Sequence, residues 1–247
     1  MNNGVNFAFL HGGGQGSWVW DATVAALALQ DAAFGRAFAL DVPGCGTKRG
    51  RDTIGIGPDA IAEELVADLA AAGMRDVVLV GHSQAGGILP RMAALRPDLF
   101  RRLVHVSCSI PLPGQTVLAM MGTGSHGSNP DEVGWPEGTA GEAPQRRYPA
   151  MFCNDMAAVE ATTFLGRLGA DNWPALSYAE TNWPSTPAGV PVTYVLCLRD
   201  GILPIDWQER FAVRLGAERI VRIDAGHQVM NTRPHALAEA LRVEAAR

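Results

Sequence analysis

Short, continuously apolar runs alternate along this chain with stretches in which apolar side chains recur every three or four residues. Asn6–Leu10 is an apolar run of strand length. Ser17 then stands where a helix could be capped, and Trp20, Val24 and Leu27 fall on one face of a helix reaching about Gln30. Ala37–Val42 is the next strand. Pro58 stands at a first helical position, Ile61, Leu65 and Leu69 follow at intervals of four, and Gly73 closes that helix. Val77–Val80 is a third strand, Gln84 to about Leu95 a helix, and Leu103–Ser107 a fourth strand. The same alternation returns near the end. Val192–Leu198 is a strand, about Asp206–Leu215 a helix, Ile220–Ile223 a strand, and Pro234 opens a terminal helix.

These strands lack the in-and-out alternation of a sheet with one wet face. Continuous apolar strands separated by helices predict an α/β fold, with a mainly parallel sheet covered by helices on both faces. Between the two alternating halves, about residues 111–189 are rich in Gly, Pro, Met and Trp and show no parallel-strand run. A helical pattern occurs near Asp155–Leu168. Trp135, Trp173, Trp183, Phe152 and Phe164 argue for packing, because disordered segments are poor in aromatics. The expectation is one domain over 1–247, with a core of 1–110 and 190–247 and a cap inserted at about 111–189. No internal repeat or low-complexity tract interrupts it.

Composition narrows the function. A chain of 247 residues that is 47% hydrophobic suits one large α/β domain without staples. The net charge is −5, and basic residues form only pairs such as Arg101-Arg102 and Arg146-Arg147, so nucleic acid is not an expected partner. The start, Met1-Asn2-Asn3-Gly4, has no basic leader region, and no apolar stretch approaches the ~20 residues of a membrane helix. Cys45, Cys108, Cys153 and Cys197 form no CxxC pair and are expected to be reduced thiols of a cytoplasmic protein. No metal and no cofactor is expected, since Cys and His do not cluster.

The sharpest chemical signal is Gly81-His-Ser83-Gln-Ala85-Gly-Gly87, directly after an apolar strand and before a helix. A serine on so tight a turn projects its hydroxyl above the sheet edge, and small flanking residues let the backbone fold back. The usual spacing is G-x-S-x-G; Ala85 takes the last place here and is small enough. Serine alone is a poor nucleophile and needs a base, which in turn needs an orienting acid. Of the downstream histidines, His105 lies inside a strand, His126 in the cap and His235 in the last helix. His227 follows a strand end in Asp224-Ala-Gly-His227, where active groups of open α/β sheets gather. Asp200 follows Val192–Leu198 in the same way. Asp206 is expected to cap a helix and Asp224 to be a strand-end residue, so Asp200 is placed ahead of both. The base must be neutral to take the serine proton, so activity is expected to rise with pH. His11-Gly-Gly-Gly14 after the first strand suits an oxyanion hole, with the amides of Gly13 and Gln84 as donors. No Lys-Ser/Thr follows those glycines, so a phosphate loop is excluded.

Phe9-Leu-His-Gly-Gly-Gly-Gln-Gly-Ser-Trp18-Val-Trp20, Gly81-His-Ser-Gln-Ala-Gly-Gly87, Asp200 with Pro204, and Gly226-His227 occur in the order found in the α/β-hydrolases. The sequence most resembles the branch holding plant methylesterases and hydroxynitrile lyases with their bacterial relatives. The resemblance covers nearly the whole chain except the cap. It implies a sheet of about six strands without the N-terminal hairpin of larger members. The hydroxynitrile lyases of that branch carry Thr after the first His and Lys after the catalytic His; here Gly12 and Gln228 stand there, against cyanohydrin cleavage. A serine nucleophile also disfavours the dehalogenases and epoxide hydrolases of the fold, which use Asp. Acyl transfer to water remains: hydrolysis of a small or medium apolar ester or lactone through an acyl-enzyme, or of a thioester, or a retro-Claisen C–C cleavage. A lyase or cyclase reusing the fold, and a ligand-binding protein with vestigial hydrolysis, are the alternatives. Cap Met and aromatic side chains suit an apolar substrate and equally suit the cap's own core.

Overall fold

A computed structural model of the chain describes residues 4–30 and 34–247. Residues 1–3, where the absence of a leader was argued, lie outside the described residues, as do 31–33. The elements run β1 (Val5–Leu10), α1 (Asp21–Gln30), β2 (Phe34–Leu40), α2 (Pro58–Ala71), β3 (Val77–His82), α3 (Leu89–Leu95) and β4 (Phe100–Val106). Four helices follow: α4 (Val117–Met121), α5 (Pro144–Phe152), α6 (Ala158–Leu165) and α7 (Leu176–Ala179). The chain closes with β5 (Val192–Cys197), α8 (Ile205–Arg214), β6 (Arg219–Ile223), α9 (Val229–Thr232) and α10 (Pro234–Ala245).

The six strands form one parallel sheet in the order β2-β1-β3-β4-β5-β6. Alternate residues of the same strands feed two apolar layers. Phe7, Phe9, Val78, Val80, Val104 and Val106 pack with Trp20 and Leu27 and with Leu237 and Leu241, from the α1 and α10 side. Ala8, Leu10, Val77, Leu79 and Leu103 pack with Ile61, Leu65, Leu69, Leu89 and Met92, from the α2 and α3 side. Each such fully buried aliphatic or aromatic side chain stabilises the fold by about 1.5–3 kcal/mol. This is why the strands read as unbroken apolar runs. The chain steps outward from β1 to β2, crosses back to β3, and then advances to β6. The strand order therefore reverses between β1 and β3, and a crevice opens at their carboxyl ends. Leu10 pairs with Gly81 in register, which sets the loops after β1 and β3 side by side.

Several expected boundaries shift for physical reasons. Strand β2 begins at Phe34 and ends at Leu40 because it follows β1 from Val5 to Leu10; Asp41 and Val42 leave the sheet, and the Val42 N–H donates to His11 Nε2 at 3.2 Å. Ser17 does not cap α1. It opens a 3₁₀ turn, Ser17–Trp20, whose cap is Gly16, and its N–H and hydroxyl donate to the Asp41 carboxylate at 2.7 and 3.1 Å. Asp206 does not cap α8 either: Pro204 holds the cap position, and no side-chain capping bond forms. The helix expected from Gln84 starts as a 3₁₀ turn over Ser83–Gly87, with α3 beginning at Leu89.

Residues 111–189 supply α4–α7 and no strand of the sheet, and α6 covers the middle of the helical pattern expected near Asp155–Leu168. Their aromatics pack as their composition suggested. Tyr148 meets Phe152 edge-on, Phe152 packs tilted against Phe164, and Phe164 meets Trp18 of the core at 5.7 Å between ring centroids. Asp171 ties the segment down: it accepts from Gly46 N at 2.9 Å and from Arg49 Nε and Nη2 at 2.8 and 3.0 Å.

Candidate active site

Strand β3 is buried along its whole length and ends at His82. Ser83, next in the chain, has φ +54°, a left-handed conformation that a side-chain-bearing residue adopts at a cost of roughly 1–3 kcal/mol. The turn is tight enough that a Cβ on Gly81 would lie 2.4 Å from Leu89 Cδ1 and 3.0 Å from the Ala85 Cβ. Position 81 has no room for a Cβ, while the buried Ala85 methyl is accommodated at the next small place of the turn. Ser83 is half-buried at the crevice between β1 and β3.

The loop after β1 lies against this turn. A Cβ on Gly12 would come within 3.0 Å of the Ser83 Cβ, and one on Gly13 within 2.4 Å of Gln84 Oε1. The two expected oxyanion-hole residues, Gly13 and Gln84, are thus neighbours. The loop is held from beneath and from residues 111–189. Buried His11 accepts from Val42 N–H through Nε2, which leaves Nδ1 to donate to Gly12 O at 2.8 Å. Burial lowers the His11 pKa, so this neutral tautomer is favoured. Trp173 Nε1 donates to the same Gly12 O at 3.0 Å, and the Trp173 ring stands edge-on to His11. Tyr178, on α7, lies beside Gly13 as the Gln84 side chain does, and burial raises its hydroxyl pKa.

The structure brings His227 and Asp200 together. His227 Nδ1 donates to Asp200 Oδ2 at 2.7 Å, and both side chains are wholly buried. The rest of the carboxylate is satisfied as well: Oδ1 accepts from Ile202 N at 2.7 Å and Leu203 N at 2.9 Å, and Oδ2 accepts from the Ser107 hydroxyl. Asp206 and Asp224 do not join the site. Asp206 sits in the first turn of α8, and Asp224 is exposed and pairs with Arg199 Nε at 2.7 Å.

His227 is packed against the serine turn. The His227 and His82 rings lie 4.5 Å apart, and His82 Nε2 donates to His227 O at 3.0 Å. Burial, aided by the neighbouring His227, holds the His82 pKa well below its usual value, so His82 stays neutral. His227 Nε2 is buried and makes no hydrogen bond among the described residues, to Ser83 or any other group. The remaining histidines are elsewhere. His105 is buried in β4, His126 bonds Val133 O and Gly201 O, and His235 is in α10.

Sequence reasoning did not single out Ser107, Asp155, Tyr178 or the contact of Phe152 with the His227 ring at 5.8 Å between centroids. Ser107 could have been found: it ends the β4 run, one strand from Ser83, and its φ of +41° marks a second tight exit from the sheet. The four cysteines are free thiols; Cys45, Cys108 and Cys197 are buried. Among the described residues, no group of three or more His, Cys, Asp or Glu could hold a metal ion, and no helix is long and apolar enough to cross a membrane.

The model of the alpha/beta hydrolase family matches residues 7–240. The chain is similar to probable esterase PIR7A of Oryza sativa, 36% identical over 115 residues, which are 46% of this chain and 43% of that protein. It therefore matches less than half the length of this rice relative. It is also similar to polyneuridine aldehyde esterase of Rauvolfia serpentina, at 24% identity over 96% of this chain and 94% of the other. Among solved structures, the Arabidopsis methylesterase MES16 superposes with a TM-score of 0.75 at 18% identity, covering 98% of this chain and 99% of that one.

Proposed function

The chain belongs to the α/β-hydrolase family, and from that premise we propose that it is a serine hydrolase cleaving a small or medium apolar ester or lactone through an acyl-enzyme. The observation that carries this reading is the buried 2.7 Å bond from His227 Nδ1 to Asp200, formed beside a serine at φ +54° on the turn after β3. With Nδ1 committed to the carboxylate, Nε2 keeps its lone pair and acts as the base. Ser83 Oγ attacks the substrate carbonyl carbon as its proton passes to Nε2. Negative charge gathers on the carbonyl oxygen, which the amides of Gly13 and Gln84 receive. The tetrahedral species then collapses. The imidazolium returns the proton to the departing alcohol oxygen, and the acyl group stays on Ser83. Water repeats the sequence, with Nε2 again as base, and frees the acid.

Relatives named as esterases support ester hydrolysis over the other chemistries of the fold. Gly12 lies where a threonine, and Gln228 where a lysine, would mark the cyanohydrin-cleaving members, and Gln228 is a buried neutral amide. Phe152, Trp173 and Tyr178 around the serine turn support an apolar substrate, and we assign 111–189 the part of a cap that shapes its pocket. The four free thiols support a reducing compartment, the cytoplasm.

Hydrolysis of p-nitrophenyl acetate, followed from the first turnover, tests the proposal. A burst of nitrophenol equal to the enzyme concentration, absent in Ser83→Ala, is expected. Turnover that survives in Ser83→Ala overturns the mechanism. Slow turnover without a burst favours the ligand-binding alternative.

A further inference from the structure

The link between α5 and α6 touches both loops that carry the acid and the base. Asn154 Nδ2 donates to Arg199 O at 2.5 Å, one residue before Asp200. Asp155 Oδ2 accepts from Gly226 N at 2.8 Å, one residue before His227, and from Thr232 Oγ1 at 2.9 Å, at the end of α9. The Asp155 side chain is 1% exposed, although a carboxylate is costly to bury. Two guanidinium groups flank it, Arg199 Nη2 at 3.9 Å and Arg233 Nη1 at 4.0 Å. Arg199 in turn joins the two loops to each other: its N–H donates to Ala225 O at 2.9 Å and its Nη2 to Asp224 O at 3.0 Å. Space at the junction is exhausted. A Cβ on Gly226 would fall 2.4 Å from Asn154 Oδ1 and 2.5 Å from Asp155 Oδ1. On the inner side of the same link, Phe152 packs against the His227 ring.

From this arrangement we propose that Asn154 and Asp155 are positioning residues that clamp the Asp200 and His227 loops together, so that seating of residues 111–189 sets the geometry of the base. The inference rests on the serine-hydrolase reading for its kinetic consequence, and on the structure alone for its effect on the His227 ring. The two clamp bonds are made at the residues preceding the acid and the base, so a shift of either loop changes the 2.7 Å contact directly. The clamp's hydrogen bonds go to Arg199 O, Gly226 N and Thr232 Oγ1, and not to Ser83, Gly13 or Gln84. Its loss should therefore lower kcat and leave KM nearly unchanged.

The test compares Asp155→Ala, Asp155→Asn and Asn154→Ala. Asn154 is exposed, so its variant folds even if Asp155→Ala does not. With p-nitrophenyl acetate, kcat should fall about 10- to 100-fold in Asp155→Ala and about three- to tenfold in Asn154→Ala, with KM within about threefold. Asp155→Asn keeps an oxygen that can accept from Gly226 and should lie between wild type and Asp155→Ala. Nitrogen-15 spectra of the histidine rings provide a readout independent of turnover. Wild-type His227 should show the single Nδ1–H tautomer, and Asp155→Ala a mixture. A purely structural role would lower thermal stability while kcat stays within twofold and the tautomer stays single, and that result overturns the proposal. If the wild type shows no Ser83-dependent turnover, the functional reading fails, and the tautomer comparison still decides the clamp.

Discussion

Replacing Asp200 by Asn should abolish most of the activity while leaving the shape of the site intact. The carboxylate is a four-fold acceptor, taking Ile202 N, Leu203 N, the Ser107 hydroxyl and His227 Nδ1. An amide has one oxygen and one NH₂ group. The two backbone donors at 2.7 and 2.9 Å converge on Oδ1 and have no other acceptor there, so the amide oxygen must face them. The NH₂ group then points at His227 Nδ1 and the Ser107 hydroxyl. The hydroxyl can rotate to accept, but the imidazole must move its proton from Nδ1 to Nε2. That tautomer has no lone pair left for Ser83. The expected loss in kcat is about 10³- to 10⁴-fold, or about 4–5.5 kcal/mol in barrier height. The assay is steady-state hydrolysis of p-nitrophenyl acetate beside thermal melts. Asp206→Asn and Asp224→Asn serve as controls, because Asp206 makes no capping bond and Asp224 pairs with Arg199 in solvent. Their activity should stay within about threefold, since an exposed pair contributes at most about 1 kcal/mol. An Asp200→Asn enzyme with more than a tenth of wild-type activity, or a control that loses as much, refutes the assignment.

Ser83→Ala should lose on the order of 10³-fold or more in turnover, with an unchanged circular dichroism spectrum and melt; residual activity near wild type would reject the nucleophile. Gly81→Ala should destabilise by about 1–3 kcal/mol, because its Cβ would sit 2.4 Å from Leu89 Cδ1 and 3.0 Å from the Ala85 Cβ; a urea midpoint equal to wild type would contradict the packing argument. Acid should also destabilise the fold through a buried histidine. Burial pushes His105 from 6.5 down to about 3, and among the described residues neither ring nitrogen has a hydrogen-bond partner. The unfolded chain therefore takes up this proton first. Stability is full above pH ~6.5 and is lost as pH falls toward ~3, by up to about 1.4 kcal/mol per pH unit from this one residue. In His105→Leu, urea unfolding at pH 6, 5 and 4 should show a stability slope shallower by up to that amount. Equal slopes in the two proteins would show that His105 does not titrate this way.

The fold was legible because the sheet is buried on both faces. Apolar runs such as Val77–Val80 leave no choice of a wet side, and the helical spacing of Ile61, Leu65 and Leu69 supplies the layer that covers one of those faces. The errors occur where polar side chains choose among partners. Ser17 has the residue type of a cap, yet its donors go to Asp41, a residue 24 positions away at the end of β2. Asp206 lies in the first turn of α8, but Pro204 already holds the cap position. Hydropathy periodicity carries no information on such long-range pairings. The bounds of β2 were missed for a related reason: they are set by its register with β1 and not by its own side chains.

The site divides along the same line. Ser83, His227 and Asp200 each follow directly on a strand of the sheet or stand a few residues beyond one, so strand ends found from apolar runs bring them to one edge. Their position is a consequence of topology. Ser107, Asn154 and Asp155 act on them through hydrogen bonds across 93, 45 and 71 positions of sequence, and no motif marks those contacts. Two come from the segment that matched no motif, which thereby bonds to the loops after β5 and β6. A chain that swapped this segment for another of equal length would keep the strand-end residues. It would lose the acceptor for Gly226 N and the donor to Arg199 O that hold the acid and base loops in place. Substrate range and rate in this protein should therefore change together when the inserted segment changes, even where the serine, histidine and aspartate do not.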